Sequence, residues 1–404
     1  MLQVRIEEPL PAQYTTPEIP VAYPDPALIE QAMKVLASAK RPLVIVGKGA
    51  AYARSERETN DLIGRSNLPF LATPMGKGVV SDLSPNFIGP ARSMALQQAD
   101  VVLLLGARLN WILHFGRSPR FNADVKVIQI DICPEELHNS VKSSVAIQSD
   151  LKPATKMLLE AIARSGFKFN DASDWWRDLR RKCESNRKGV QAMSMDVSTP
   201  LNYYAVFHHV QEMLPKDCII VSEGANTMDI GRSMLLNRLP RHRLDAGTFG
   251  TMGVGLGFAI AAALYCRHHE PTKRVICVEG DSAFGFSGME LETIYRYKLP
   301  IVILVVNNSG IYGGVDEQLY NEIKDDSEPT TTIPPTILST VTRYEKMMEL
   351  FGKRGHLCKS IPELQKSLKE CLADTQGPTM INVVISPTAD RKPQTFAWLT
   401  ESKL

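Results

Sequence analysis

Little in this sequence suits an exported, membrane-spanning or metal-scaffolded protein. Cysteine is scarce, seven in 404 residues, odd in number and with no Cys-x-x-Cys pair. That argues for reduced thiols in an intracellular compartment and against a disulfide framework or a zinc site. The opening MLQVRIEEPLPAQY has no apolar stretch after a basic start, so no secretory signal is expected. The longest apolar run, Met252–Cys266, has 15 residues, short of the roughly 20 that span a bilayer, and is expected to be a buried helix. Neither charge dominates: 46 Lys and Arg against 44 Asp and Glu leave a formal +2, too little to draw the chain to nucleic acid or an anionic membrane. No Gly-x-Ser-x-Gly elbow occurs, and the eight histidines form no His-x-x-x-His or Cys/His ligand pattern. His208-His209 and His268-His269 are expected to be surface or core residues.

Apolar content of 44% and charged content of 22% are ordinary for a globular protein, and the length allows two or three domains. Residues 1–25 carry five prolines without periodicity and read as a linker. Asp25-Pro26 suits a helix start. Pro42–Val46, Pro69–Thr73, Val101–Gly106 and Val125–Ile132 read as strands alternating with helices, a doubly wound parallel sheet over 26–165. Gly47-x-Gly49 after the first strand invites a nucleotide-binding reading, with Asp131 as the ribose carboxylate. The third glycine is absent, and Asp131 stands over 80 residues on, where the fingerprint expects about 20. Residues 166–195 interleave both charges around Trp175-Trp176, a connector helix with its tryptophans laid on a neighbour. A second α/β domain, 196–387, begins with helix Tyr203–Leu214 and strand Cys218–Ser222. Residues 313–340 look irregular, as a mobile loop would. Helix Ile361–Ala373 and strand Thr379–Ile385 close the sheet, and 388–404 form a tail.

The second domain is organised around Gly280–Gly310. A β-branched run ends at Gly280, a helix with Leu291, Ile294 and Tyr295 on one face follows, and a second strand, Pro300–Val306, ends at Asn307-Asn308. In a right-handed βαβ unit both strands are parallel, so Asp281 and Asn308 emerge at the same carboxyl edge, where open α/β sheets bind ligands. A carboxylate and an amide oxygen, with backbone groups of Ser282, Ala283 and Ser309–Tyr312, suit Mg²⁺ carrying a diphosphate.

An Asp, 26 intervening residues and the second Asn of an Asn-Asn pair resemble the metal–diphosphate signature of the thiamine-diphosphate (ThDP) enzymes, with Ser282 where the signature has Gly. The resemblance implies two domains of α/β fold, a Rossmann-like central domain and a diphosphate-binding domain. It implies Mg²⁺ held by Asp281, Asn308 and the carbonyl of Gly310, and cofactor contacts from Ser282, Ala283, Ile311 and Tyr312. It further implies diphosphate contacts from Ala225 and Asn226. In the Gly247–Gly253 turn, the carbonyl of Gly250 and the amide and side chain of Met252 would hold the aminopyrimidine. Some members bind FAD or ADP in the central domain, so ADP is possible here.

SEGANTMDIGR at 222–232, DAGTFGTMGVGLGFA at 245–259 and GARLNWILHFG at 106–116 resemble the 2-hydroxyacyl-CoA lyase branch of that family. This implies cleavage of a 2-hydroxy fatty acyl-CoA into formyl-CoA and an aldehyde one carbon shorter, in fatty acid α-oxidation, by a homo-oligomer. Terminal Ser402-Lys403-Leu404 matches the tripeptide read by the peroxisomal import receptor, so the peroxisomal matrix is the expected location. Arg391, Lys392, Phe396 and Trp398 in the tail could fold over a CoA ester. The family's catalytic glutamate belongs to an N-terminal pyrimidine-binding domain for which residues 1–25 have no room. No catalytic residue is therefore assigned, and a shortened form that binds Mg–ThDP weakly and turns over slowly alone is expected. Oxalyl-CoA decarboxylase, an acetolactate-synthase-like enzyme and a non-catalytic partner of a full-length lyase are the alternatives.

Overall fold

A computed structural model describes residues 17–326, 328–340, 342–389 and 391. Lys392, Phe396, Trp398 and Ser402–Leu404 lie outside the described residues.

Two parallel sheets carry the chain. The first joins β1 (Pro42–Val46), β2 (Phe70–Ala72), β3 (Val101–Leu105), β4 (Lys126–Asp131) and β5 (Val145–Gln148) in the order β2-β1-β3-β4-β5. The inner strands PLVIV and VVLLL are buried throughout, as strands covered on both faces must be. Side-chain alternation divides them: Val44, Val46, Leu103 and Leu105 enter one core, and Leu43, Ile45, Val102 and Leu104 the other. Asp25 caps helix Pro26–Ala37 by accepting the Ala27 N–H at 2.8 Å. Helix Asp174–Ser194 seals the second core. Its Trp175 donates to the Pro42 carbonyl at 2.9 Å and Trp176 to that of Asn67 at 3.1 Å.

Gly47 and Gly49 serve packing. The Gly47 N–H is spent on the Leu105 carbonyl at 2.9 Å and that of Gly49 on Gly106 at 3.0 Å. A Cβ on Gly47 would lie 2.0 Å from the Gly106 oxygen. Both glycines are there so that two backbones can touch, and their amides are not free for a phosphate. Asp131 accepts the Cys133 N–H at 3.0 Å in a turn of its own.

The second sheet comprises β6 (Ile219–Glu223), β7 (Arg243–Asp245), β8 (Val275–Gly280), β9 (Ile301–Asn307), β10 (His356–Cys358) and β11 (Thr379–Val384), ordered β10-β11-β9-β8-β6-β7. The chain leaves β6 toward β7 but leaves β8 toward β9. The strand order therefore reverses between β6 and β8, which opens a crevice above their carboxyl ends.

The structure departs from the sequence expectations in three places. The crossover from β8 to β9 is two helices, Asp281–Ser287 and Glu290–Arg296. Leu291 and Ile294 are buried there, but Tyr295 is 39% exposed and stacks on Phe351. Residues 313–340 hold the helices Glu317–Asp326 and Pro329–Thr332. The run Met252–Cys266 yields a helix, Gly255–His269, buried on one side only, with Phe258 and Tyr265 exposed. Among the described residues no helix is long and apolar enough to cross a membrane.

The two sheets' domains are tied together by polar contacts. Lys77 pairs with Asp82 out of solvent, and Asp82 accepts the Asn237 N–H at 2.9 Å while its own N–H donates to the Asn237 carbonyl at 3.1 Å. Arg241 reaches across to the Ala51 carbonyl at 2.6 Å and the Glu56 carboxylate at 2.7 Å.

Candidate active site

The carboxyl ends of β9, β8, β6 and β7 lie side by side, and each opens into one of the turns picked out by sequence. Gly280 pairs in register with Val306, which sets Asp281 level with Asn307 and one residue short of Asn308. Asp281 is 1% exposed. Its Oδ1 accepts the Ser282 N–H at 2.8 Å and its Oδ2 the Gly310 N–H at 3.2 Å, so residues 29 apart in sequence meet directly. Burial pushes the Asp281 carboxyl up to about 6 despite those amides. A buried acid with oxygens held in place suits a divalent cation, whose charge would offset the desolvation.

Asn308 and Asn226 converge on one atom. Their Nδ2 groups donate to the Tyr312 carbonyl at 2.9 and 3.0 Å, which orients both amides and joins the β6 and β9 turns. Ser309 and Tyr312 take positive φ, +56° and +65°, a tight path that brings Gly310 against Gly313, where a Cβ would lie 2.4 Å from the carbonyl oxygen. Strain of this kind needs surrounding contacts to hold it and is concentrated at working sites. Ser282 and Ala283 lie in the first turn of helix Asp281–Ser287. The Ile311 N–H is taken by the Thr336 carbonyl at 2.8 Å. Ala225 is the residue before helix Asn226–Met234. Its neighbour Gly224, at φ +119°, passes so close that a Cβ would stand 3.3 Å from the Gly280 nitrogen.

Gly250 and Met252 stand on the turn after β7. The turn abuts the Asp281–Ser287 helix, where a Cβ on Gly253 would lie 3.2 Å from that of Phe286. Gly250 has φ +61° and nothing near its Cβ direction. Phe249, 92% exposed, and the half-exposed Met252 rim the crevice.

Three sets of residues at the site were not found by sequence reasoning. Asn307, the first of the Asn-Asn pair, is wholly buried and donates to the Thr342 carbonyl and to Asn382, which in turn donates to Glu345; it fixes the end of β9. The central domain grips the β7 turn: Arg108 donates to the Thr248 hydroxyl at 2.9 Å and Trp111 to the Thr248 carbonyl at 2.6 Å. That motif was visible only as part of GARLNWILHFG. Lastly, Glu223 and Glu279, in register at the tips of β6 and β8, sit buried beneath the crevice. Burial and the neighbouring Glu223 push Glu279 up to about 8, and burial raises Glu223 against the amides it accepts from Gly253 and Gly255. A buried acid inside an apolar strand was the available signal.

Away from this edge, His208, His209 and Glu212 gather on one face of helix Tyr203–Met213, a convergence that the absence of a His-x-x-x-His spacing had hidden.

Residues 29–158 match the model for the thiamine pyrophosphate enzyme central domain, and residues 223–383 that for the C-terminal TPP-binding domain. The chain is 54% identical over 385 residues to human 2-hydroxyacyl-CoA lyase 1, covering 95% of this chain and 67% of the relative. It is 43% identical over 369 residues to a 2-hydroxyacyl-CoA lyase of Oryza sativa, covering 89% and 62%. With oxalyl-CoA decarboxylase of Escherichia coli K12 it shares 38% over 390 residues, covering 96% and 64%. The chain thus spans about two thirds of the length of these relatives. A solved structure assigned to the thiamin diphosphate-dependent enzymes, from Mycobacterium smegmatis, superposes with a TM-score of 0.71 at 18% identity over 92% of this chain and 67% of that one, a likeness of fold.

Proposed function

Since the chain belongs to the thiamine-diphosphate-dependent enzyme family, we propose that its second domain holds Mg–ThDP at the crevice between β6 and β8 for carbon–carbon lysis of 2-hydroxyacyl-CoA. The observation that carries the cofactor site is the direct contact between the Asp281 carboxylate and the Gly310 amide, with the Asn308 and Asn226 amides oriented beside it on Tyr312. In this reading the Asp281 carboxylate, the Asn308 side-chain oxygen and the Gly310 carbonyl hold the ion. Ser282, Ala283, Ala225, Asn226, Ile311 and Tyr312 line the diphosphate, and Gly250 and Met252 meet the aminopyrimidine. When bound, ThDP supplies the carbon nucleophile and electron sink for breaking the C1–C2 bond of a 2-hydroxyacyl-CoA, with formyl-CoA and a shortened aldehyde as products. The chain's own part is to orient: the desolvated Asp281 fixes the ion, and the glycine-rich turns let backbone approach the ligand closely.

Phe249, Met252, Phe258, Phe286 and Met289 are exposed on the segments that leave β7 and β8, apolar surface that suits cover by a second copy and thus an oligomer. As a free terminus, Ser402-Lys403-Leu404 would direct the protein to the peroxisome and so to a role in α-oxidation; import of a fluorescent fusion, with and without the tripeptide, tests this.

The substrate is tested by assaying a long-chain 2-hydroxyacyl-CoA against oxalyl-CoA with Mg–ThDP present. Preference for oxalyl-CoA would refute the lyase assignment while leaving the cofactor site intact.

A further inference from the structure

Two acidic side chains at adjoining strand tips, both out of water, are a cost that folding alone does not explain. Glu223 and Glu279 are each 0% exposed, and among the described residues neither has a cation as a hydrogen-bond or ion-pair partner. Well-packed apolar side chains in such positions usually give equal or greater stability. The geometry points to what the pair does. Glu223 accepts the Gly253 N–H with Oε1 and the Gly255 N–H with Oε2. One rigid carboxylate thereby spans the join between the Gly247–Gly253 turn and helix Gly255–His269.

Glu279 backs it from β8. Its Oε1 accepts the Cys277 thiol at 3.2 Å, and its Oε2 has no hydrogen-bond partner among the described residues. The fit leaves no slack: a Cβ on Gly255 would lie 2.3 Å from Glu279 Oε1 and 2.7 Å from Glu223 Oε2. From outside, Arg108 and Trp111 hold the other end of the turn at Thr248. Gly250 and Met252 lie between these two anchors.

We propose that Glu223, backed by Glu279, is a positioning residue, its carboxylate setting the Gly250–Gly255 backbone in the shape that presents Gly250 and Met252 to the cofactor. The inference rests on the cofactor reading above for its consequence, but not for its geometry. A glutamine at 223 has the right volume yet only one accepting atom, so its NH2 would face one of the two amides it must satisfy. In E223Q, amide hydrogen exchange over residues 250–258 accelerates at least tenfold in the full chain without any ligand. The Kd for Mg–ThDP, read by calorimetry, rises at least tenfold, about 1.4 kcal/mol.

Unchanged exchange in that segment overturns the proposal. So does faster exchange with unchanged Kd, since the contact would then be merely structural. Should Gln at 223 block folding, E223D, which keeps the charge but withdraws it by one methylene, is read by the same two measurements. Wild type binding while D281A does not, with E223Q indistinguishable from wild type, removes the clamp and leaves the cofactor reading standing. Failure of wild type to bind removes the cofactor reading and the positioning role with it.

Discussion

Asp281→Asn separates the cost of the site from its use. The carboxyl is pushed from an ordinary 3.8 to about 6, chiefly by burial, so holding it ionised at neutral pH costs the ligand-free protein about 3 kcal/mol. The sign follows from proton uptake. Between about pH 4 and 6 the folded chain binds the proton that the unfolded chain has lost, so the ligand-free protein loses stability as pH rises through that window and stays less stable above it. Asparagine removes the charge and with it this dependence. It accepts from only one of the Ser282 and Gly310 N–H groups, which returns about 1–2 kcal/mol of the gain. The net is a ligand-free Tm higher by roughly 2–8 °C at pH 7.5 for a domain of this size, with the difference from wild type fading toward pH 4. The same variant, lacking the charged ligand, should lose at least 100-fold in Mg–ThDP affinity, about 2.7 kcal/mol. Thermal melts across pH and calorimetric titration provide both halves. If D281N melts as wild type does at every pH and binds Mg–ThDP equally well, the carboxylate is neither costly nor a ligand, and the site assignment fails.

Other contacts give separate expectations. Asp82→Ala leaves Lys77 buried without its partner and the Asn237 N–H without its acceptor and should cost about 3–5 kcal/mol in denaturant unfolding, which a K77M/D82N double variant, keeping an acceptor for that N–H, recovers in large part. Gly47→Ala drives a Cβ into the Gly106 carbonyl and should destabilise the central domain by several kcal/mol; a wild-type melt would show that the two turns do not need their close approach. Trp111→Phe removes the hydrogen bond to the Thr248 carbonyl and should weaken Mg–ThDP binding about fivefold, on the order of 1 kcal/mol, with little change in the unfolding midpoint.

The local elements were legible because each rests on short-range chemistry. PLVIV and VVLLL are strands by β-branching and length, Asp25-Pro26 starts a helix by capping, and Asp281 with Asn308 were placed at one edge because the two strands of a βαβ unit run parallel. What sequence could not show depends on contacts between distant segments. Tyr295 has the spacing of a core residue, yet the crossover breaks into two helices and turns it onto Phe351. Gly47 and Gly49 have the look of a phosphate loop, and only the approach of Gly106 shows their amides to be spent. Helix Gly255–His269 is apolar all round, so its pattern could not say which face lies open. Glu223 and Glu279 are 56 residues apart and mean nothing singly; the strand order places them in register, where a single carboxylate can reach two amides of the turn that follows β7. Composition and periodicity determined which elements form, because those are decided within a few residues. The sheet order decided which side chains meet, because only tertiary packing sets the distance between residues remote in the chain.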